Sequence, residues 1–191
     1  MNNLSLDDRK TLKKIFRKIK QRIAKHRKLY PKIPIKGELW EHILYDSLKE
    51  MGYSALWDSG SHKEEEDIFC TPWNRISCKS GKYVKSKNII QISGSRTTRF
   101  KELDEKLNHL TKKHSDWIFS LEHNKITDNY TIHIINTDIL KYNDLSWTSC
   151  LKTKNFQGVS DGLKINIVKA MSDQVWYDIS LDSVSFSHKI S

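Results

Sequence analysis

Apolar residues near the start of the chain recur at the spacing of a helix. Five of them lie three or four residues apart: Leu12, Ile15, Phe16, Ile19 and Ile23. This spacing puts them on one face of an amphipathic helix, which we predict over residues 6–29. Ser5 precedes Asp8 by three residues, which is the spacing of a capping box at a helix start. Pro31 ends the segment, because proline cannot continue a helix.

A second apolar run predicts another helix over about residues 37–51. Six of its side chains form one broad face: Leu39, Trp40, Ile43, Leu44, Leu48 and Met51. Successive helix residues are about 100° apart, so Glu41 lies at the edge of this face and Glu38 lies further out towards solvent. Gly52 is a natural stop for this helix.

The middle of the chain changes to the pattern of strands. Short runs of β-branched and aromatic residues predict strands over about 53–58, 67–71, 75–80, 88–93, 116–123, 130–136, 163–168 and 175–181. Apolar residues at helical spacing predict a third helix over 99–114, and the pattern weakens after about residue 140. We therefore predict an α/β (α+β) fold, in which a mixed central sheet is flanked by helices and preceded by a basic helix.

Length and composition fit one globular domain with an appended segment. The chain has 191 residues, 37% of them apolar, with only 7 Gly and 3 Pro, so we expect a packed core. We divide it into a basic N-terminal helical segment, residues 1–34, and a domain of residues 35–191. No apolar run is long enough to span a bilayer and no secretory signal is evident, so we expect a cytoplasmic protein.

The charge of the chain indicates the class of partner. Lys and Arg outnumber Asp and Glu by 33 to 23, which gives a net charge of +10. Such an excess favours a polyanion, with nucleic acid first, through the release of counterions. An anionic membrane surface fits less well, because the apolar stripe of the basic helix is modest. A basic protein without any such partner is the third interpretation.

The predicted hairpin around residues 67–80 carries the candidate chemistry. Ser77 and Lys79 share one face of their strand, and Cys78 points to the other. If residues 72–75 form the turn, Asp67 lies opposite Lys79 to within one residue. The Asp67 carboxylate and the backbone carbonyl of Cys78 can then ligate Mg²⁺, and Lys79 can position and help deprotonate the attacking water.

A metal site needs a second carboxylate, and Glu41 is the best-placed donor. Each of these residues also has an ordinary interpretation. Asp67 is also compatible with a turn acid at a strand end, Lys79 with an edge-strand lysine that blocks pairing, and Glu41 with a solvated helix residue.

This constellation resembles the PD-(D/E)xK nuclease superfamily, in particular the type II restriction endonucleases. Gly37-x-x-x-Glu41, Asp67 and Ser77-Cys78-Lys79 are similar to its three motifs, over about residues 37–115. The resemblance implies a restriction-endonuclease-like sheet, Mg²⁺ and phosphodiester hydrolysis in double-stranded DNA. It also implies catalytic roles for Asp67, Lys79, Glu41 and Ser77, and metal ligands at Asp67, Glu41 and Cys78.

The chain departs from the family pattern at two positions. Glu66 stands where proline is common, and Ser77 stands where the third motif normally has an acid. The second departure makes a carboxylate from elsewhere necessary, and the choice lies between Glu41, Glu38 and Glu66.

Candidate contacts to DNA lie in three places along the chain. We predict DNA-binding roles for Ser95, Arg96, Thr97, Arg99, His62, Lys63 and Lys82. The first four follow a strand and precede a helix, where hydroxyls, guanidiniums and backbone N–H groups suit phosphates or base edges. The alternative is that Thr97 or Thr98 caps the helix and the arginines are solvated.

The resulting hypothesis is a type II restriction endonuclease that cuts a specific sequence. A palindromic site would be matched by a homodimer, because twofold protein symmetry mirrors twofold DNA symmetry. One rival is a repair or structure-specific nuclease of the same fold. The rival from another class is a non-catalytic nucleic-acid-binding protein, which would need neither Lys79 nor a metal.

Overall fold

A computed structural model describes residues 4–57, 67–112 and 115–190. In these residues the helices are α1 (Leu6–Leu29), α2 (Glu38–Glu50) and α3 (Leu103–Thr111). The strands are β1 (Ala55–Trp57), β2 (Ile68–Cys70), β3 (Asn74–Val84), β4 (Ile89–Arg96), β5 (Trp117–Asn124), β6 (Asn129–Asn136), β7 (Ser146–Ser149), β8 (Phe156–Ser160), β9 (Leu163–Val168), β10 (Gln174–Ser180) and β11 (Phe186–Ile190).

The described strands form one mixed sheet. Its order is β11-β6-β5-β3-β4-β10-β9-β8-β7, and β1 joins through β2 to β3. The pairing of β3 with β5 is parallel, whereas the other pairs in the described residues are antiparallel. The chain between β3 and β5 contains α3, as expected for a crossover between parallel strands. The predicted fold class, a mixed sheet flanked by helices, is confirmed.

Both faces of the sheet are covered around its central strand β5. Apolar side chains of α1 and α2 pack on one face, together with Ile76 of β3 and Phe119 of β5. On the other face Ile118 of β5 belongs to a second core, which also contains Leu110 of α3 and buried residues of β4, β9 and β10. Two successive β5 residues therefore belong to different cores, as strand geometry requires when both faces are buried.

The first helix agrees closely with its prediction. It is capped by Ser5 and Asp8 in a capping box, and its five predicted apolar residues are all buried. These side chains join the same core as those of α2, so the segment of residues 1–34 packs against the rest of the chain. The division into residues 1–34 and 35–191 remains a prediction. No helix in the described ranges is both long and apolar enough to cross a membrane.

The third helix is shorter than the predicted range 99–114. It begins at Leu103 after the cap Glu102, whose N–H donates to the Glu105 carboxylate at 3.3 Å. The alternative that Thr97 or Thr98 caps this helix is therefore wrong. Strands β7, β8 and β11 were not predicted, because they are short and rich in Ser, Thr and Lys, with few apolar residues to mark an alternation.

Candidate active site at a fork in the sheet

One edge of β3 is divided between two neighbours, which leaves a gap that we call the fork. Residues Asn74–Ile76 pair with β2, and residues Gly81–Val84 pair with β4. Both neighbours lie on the same edge, because β5 occupies the other edge along Ile76–Gly81. In the described part of the chain, residues 77–80 therefore have no strand partner on the fork side.

Asp67 directs its carboxylate into the fork. The backbone N–H of Cys78 donates to its Oδ2 at 2.5 Å, and the Ser77 hydroxyl donates to the same oxygen at 3.3 Å. Lys79 Nζ lies 3.7 Å from that oxygen. The carboxylate thus takes the place of a strand partner for β3, because it accepts an N–H that would otherwise be unpaired.

The register of the hairpin differs from the prediction. Cys70 pairs with Asn74, so the turn contains only residues 71–73, and Asp67 lies opposite Ser77 instead of Lys79. We predicted that Asp67 lies within one residue of the position opposite Lys79. The observed offset is two residues, because the turn is shorter than expected. The two head groups still converge, since the lysine side chain is long enough to reach back along the strand.

The residues of the fork differ in exposure. The side chains of Asp67 and Lys79 are 22% and 23% exposed, so solvent reaches both. Ser77 is buried, and its hydroxyl is engaged by Asp67. Cys78 points into the core that contains α2, where burial, followed by the charges of Asp67 and Glu41, raises the pKa of its thiol well above the usual value.

Glu41 on α2 belongs to the same electrostatic environment. Trp57 Nε1 donates to its Oε2 at 3.4 Å and so restrains its orientation. Burial raises the pKa of Glu41, and the negative charge of Asp67 raises it further, whereas the Trp57 hydrogen bond and Lys79 oppose this shift. A carboxyl whose pKa is raised by a neighbouring carboxylate is typical of a site that attracts cations.

The oxygen atoms available to a metal are few. The described residues contain no group of three or more His, Cys, Asp and Glu side chains that could hold an ion. The contacts of Asp67 named above all use Oδ2, which leaves Oδ1 as a potential ligand. The Cys78 carbonyl lies on the same strand edge as its N–H and so faces the fork. Two carboxylates and one carbonyl suit Mg²⁺, which keeps several waters.

A cavity of about 450 Å³ adjoins the fork on the side away from α2. Ser77 and Lys79 form part of its wall, and Arg75 and Asp116 form another part. The Arg75 guanidinium binds Asp116 through Nε at 3.3 Å and Nη2 at 3.2 Å. Lys79 therefore has room beside it for a ligand larger than water.

The predicted DNA contacts have different environments. Lys82, Arg96 and Arg99 are exposed, with Arg96 Nε 3.4 Å from Gln174 Oε1 and Arg99 beside the ring of Phe100. Ser95 is half-buried. His62 and Lys63 lie outside the described residues.

Thr97 corrects one of these predictions. It has no exposed surface. Its hydroxyl donates to the carbonyl of Asp173 at 3.2 Å, and its N–H donates to the same oxygen at 3.1 Å. Both polar groups are thus used to hold the chain after β4 against the turn before β10, so Thr97 presents no donor to DNA.

A buried ion pair was missed by the sequence analysis. Lys106 Nζ lies 3.4 Å from Asp173 Oδ2, and both side chains are only 2% exposed. The amine also donates to the carbonyls of Thr97, at 3.1 Å, and Phe100. The one available signal was that Lys106 lies between Leu103 and Leu110 on the apolar face of α3.

Comparisons with known proteins give one distant structural match. No model of a known protein family matches the chain, and no curated protein matches it. A solved structure with some similarity is that of a bacterial homing endonuclease, I-Ssp6803I, at 13% identity and a TM-score of 0.33. The match covers 55% of this chain and 64% of that one. A likeness of this size does not by itself establish a shared activity.

Proposed function

We propose that this protein is a Mg²⁺-dependent endonuclease that hydrolyses phosphodiester bonds in double-stranded DNA. The observation that carries the proposal is the fork, where the Asp67 carboxylate and the Lys79 amine lie 3.7 Å apart beside an unpaired stretch of strand edge. Acidic groups and an amine that converge next to a cavity are the parts that metal-assisted hydrolysis requires. The net charge of +10 suits a polyanionic substrate.

Asp67, Glu41 and the Cys78 carbonyl would hold the ion through three oxygen atoms. When bound, Mg²⁺ supplies charge stabilisation at the phosphate oxygens and lowers the pKa of a bound water. The raised pKa of Glu41 supports this assignment, because the repulsion from Asp67 that contributes to it would be relieved by a cation between the two carboxyls.

Lys79 would position the attacking water and the scissile phosphate. Its amine is half-buried, lies beside the Asp67 carboxylate and faces the cavity that can admit the phosphate. Ser77 and the Cys78 N–H act as positioning groups, because both donate to Asp67 Oδ2 and so fix the direction of the other carboxylate oxygen. Ser77 therefore occupies the place of the missing acid without acting as a charged ligand.

We extend the proposal to sequence-specific cleavage by a homodimer, as in type II restriction endonucleases. The exposed side chains of Lys82, Arg96 and Arg99 would contact DNA, with Ser95 as a further candidate donor. A repair or structure-specific nuclease is the alternative within the same chemistry. Discrete fragments from an ordinary plasmid would support restriction, and cleavage confined to damaged or branched DNA would support the alternative.

Plasmid digestion tests the proposed activity. The wild-type protein should cut with Mg²⁺ and remain inactive with EDTA. Asp67→Asn and Lys79→Ala should slow cutting by about a hundredfold or more, whereas Lys85→Ala, which removes an exposed lysine from the turn between β3 and β4, should leave it unchanged. Cutting by Lys79→Ala at the wild-type rate would overturn the assignment. DNA binding without cutting under any metal condition would favour a non-catalytic nucleic-acid-binding protein.

A further inference from the structure

Six basic side chains follow the outward face of α1. We call them the basic stripe: Lys13, Lys14, Arg17, Lys20, Lys25 and Lys28. All six are exposed, and at 100° per residue they fall within one side of the helix, opposite the buried Ile15, Ile19 and Ile23. Because the buried face is packed into the core, the stripe is held outward in a fixed direction.

Four other basic residues of α1 have acidic partners, Lys10 with Asp7 among them, whereas Arg9 lies over the ring of Phe186. Lys18 binds Glu50 at 2.7 Å, and Arg22 binds Asp46 at 2.8 Å. Both of these acidic residues lie on α2. Arg27 reaches Asp128 at 3.2 Å. In the described part of the chain no ion pair involves the basic stripe, and α1 itself has no acid after Asp8. The stripe is therefore positive charge that the fold leaves uncompensated.

A neighbouring histidine lies within reach of the charges of the stripe. His188 of β11 stacks on Phe16 of α1, with ring centroids 5.0 Å apart. Burial lowers the pKa of His188, and the charges of Lys13 and Lys20 lower it further. Lys13 and Lys20 thus lie close enough to His188 for their charges to act on its ring.

We propose that the basic stripe binds the phosphate backbone of double-stranded DNA, as a second contact surface separate from the fork. From Lys13 to Lys28 the stripe extends about 22 Å at 1.5 Å per residue. Apart from the adjacent Lys13 and Lys14, successive charges along it are about one helical turn apart, and a duplex carries one negative charge per about 1.7 Å of its axis. A rigid line of uncompensated cations is the complement of that charge, and it would bind without regard to sequence.

Salt-dependent binding in EDTA tests the stripe without any cleavage. Lys13→Gln/Lys20→Gln should weaken binding of a synthetic duplex about tenfold or more and make the slope of log K against log salt shallower by about two. The control is Lys125→Gln/Lys152→Gln, which removes the same charge from exposed positions outside α1 and should leave the slope unchanged. Equal slopes for the two double variants would overturn the inference.

The titration of His188 gives a second readout at the stripe itself. Its pKa, followed by NMR, should rise when the duplex is added, because bound phosphates offset the charges of Lys13 and Lys20. No change on binding would contradict contact at α1. The two proposals can fail separately. If Lys79→Ala cuts normally but the stripe variant has the expected shallower salt slope, only the assignment of the fork is wrong. If the salt slope is unaffected while Mg²⁺-dependent cutting requires Lys79, only the stripe falls.

Discussion

Two lysine–aspartate pairs in this protein have similar geometry and opposite surroundings. Lys79 and Asp67 lie 3.7 Å apart at the fork, and both side chains are more than one fifth exposed. Lys106 and Asp173 lie 3.4 Å apart in the interior, and both are 2% exposed. Lys79 of the first pair borders a cavity of about 450 Å³, and both residues of the second pair border another of about 470 Å³. The amine of the second pair also donates to two backbone carbonyls, which hold it in the interior.

This difference in burial and in hydrogen-bond partners indicates which pair is available for chemistry. A buried pair whose hydrogen bonds are satisfied cannot admit a phosphate or a water without breaking the structure around it. A half-exposed pair at an unpaired strand edge can exchange its mutual contact for a metal ion and a substrate. Burial and the remaining partners, more than the distance between the charges, distinguish a structural pair from a candidate catalytic one.

The largest expected effect on stability comes from breaking the buried pair. Lys106→Ala should lower the free energy of unfolding by about 3–5 kcal/mol, because it leaves Asp173 charged and without its buried cation. Lys169 gives a matched control, since its exposed amine binds the same carboxylate oxygen at 3.2 Å. Lys169→Ala should cost about 1 kcal/mol or less. Urea denaturation measures both, and equal losses would contradict the structural role of Lys106.

The fork should show the opposite behaviour. Lys79→Ala should lower the rate of DNA cleavage by about a hundredfold to a thousandfold, the usual contribution of a group that positions or moves a proton. Its melting temperature should remain close to that of the wild type, because a half-exposed ion pair contributes little to stability. Single-turnover cleavage at saturating Mg²⁺ separates chemistry from binding. A large loss of stability with unchanged cleavage would make this pair structural as well.

The elements with strong periodicity could be predicted from the sequence, and those with weak periodicity could not. The bounds of α1 were predicted because its cap and its five apolar positions agree. The start of α3 was misplaced by four residues, because Phe100 continues the apolar spacing although it precedes the cap Glu102. The polar strands β7, β8 and β11 are defined mainly by their hydrogen-bonded neighbours, which the local pattern does not reveal.

The candidate site could be predicted in its composition but only in part in its geometry. Asp67 and Lys79 converge as expected. The register between β2 and β3, however, depends on the length of their turn, which cannot be predicted from the types of residues 71–75. The fork itself was not foreseen, because it arises from β2 and β4 sharing one edge of β3. Thr97 was misassigned because its hydrogen-bond acceptor, the carbonyl of Asp173, lies 76 residues further along the chain.

Addition of Mg²⁺ should sharpen the comparison between the two pairs. An ion that binds only the folded state stabilises it by about 2.7 kcal/mol at a hundredfold excess over its dissociation constant. The melting temperature of the wild type should therefore rise with Mg²⁺, and that of Asp67→Asn should not. Lys169→Ala, which alters the interior pair only at its exposed side, should respond like the wild type. A rise in Asp67→Asn equal to that of the wild type would place the ion elsewhere.

The smallest expected effect is the dependence of stability on pH through Glu41. Burial and Asp67 raise the folded pKa of this carboxyl above its unfolded value. The folded state therefore holds the proton more tightly, and stability falls as pH rises from the unfolded pKa through the folded one. Glu41→Gln removes this penalty, so without metal it should melt about 2 °C higher than the wild type at neutral pH.

The same substitution should have almost no effect in acid, where Glu41 is protonated in both states. Asp104→Asn, which changes an exposed acid in the first turn of α3 that is not among the groups acting on Glu41, should leave the pH profile of the wild type intact. With Mg²⁺ the order should reverse, because the wild type gains a ligand that Glu41→Gln lacks. A stability advantage of Glu41→Gln that persists at saturating Mg²⁺ would mean that this carboxyl is only a strained neighbour of Asp67 and binds no ion.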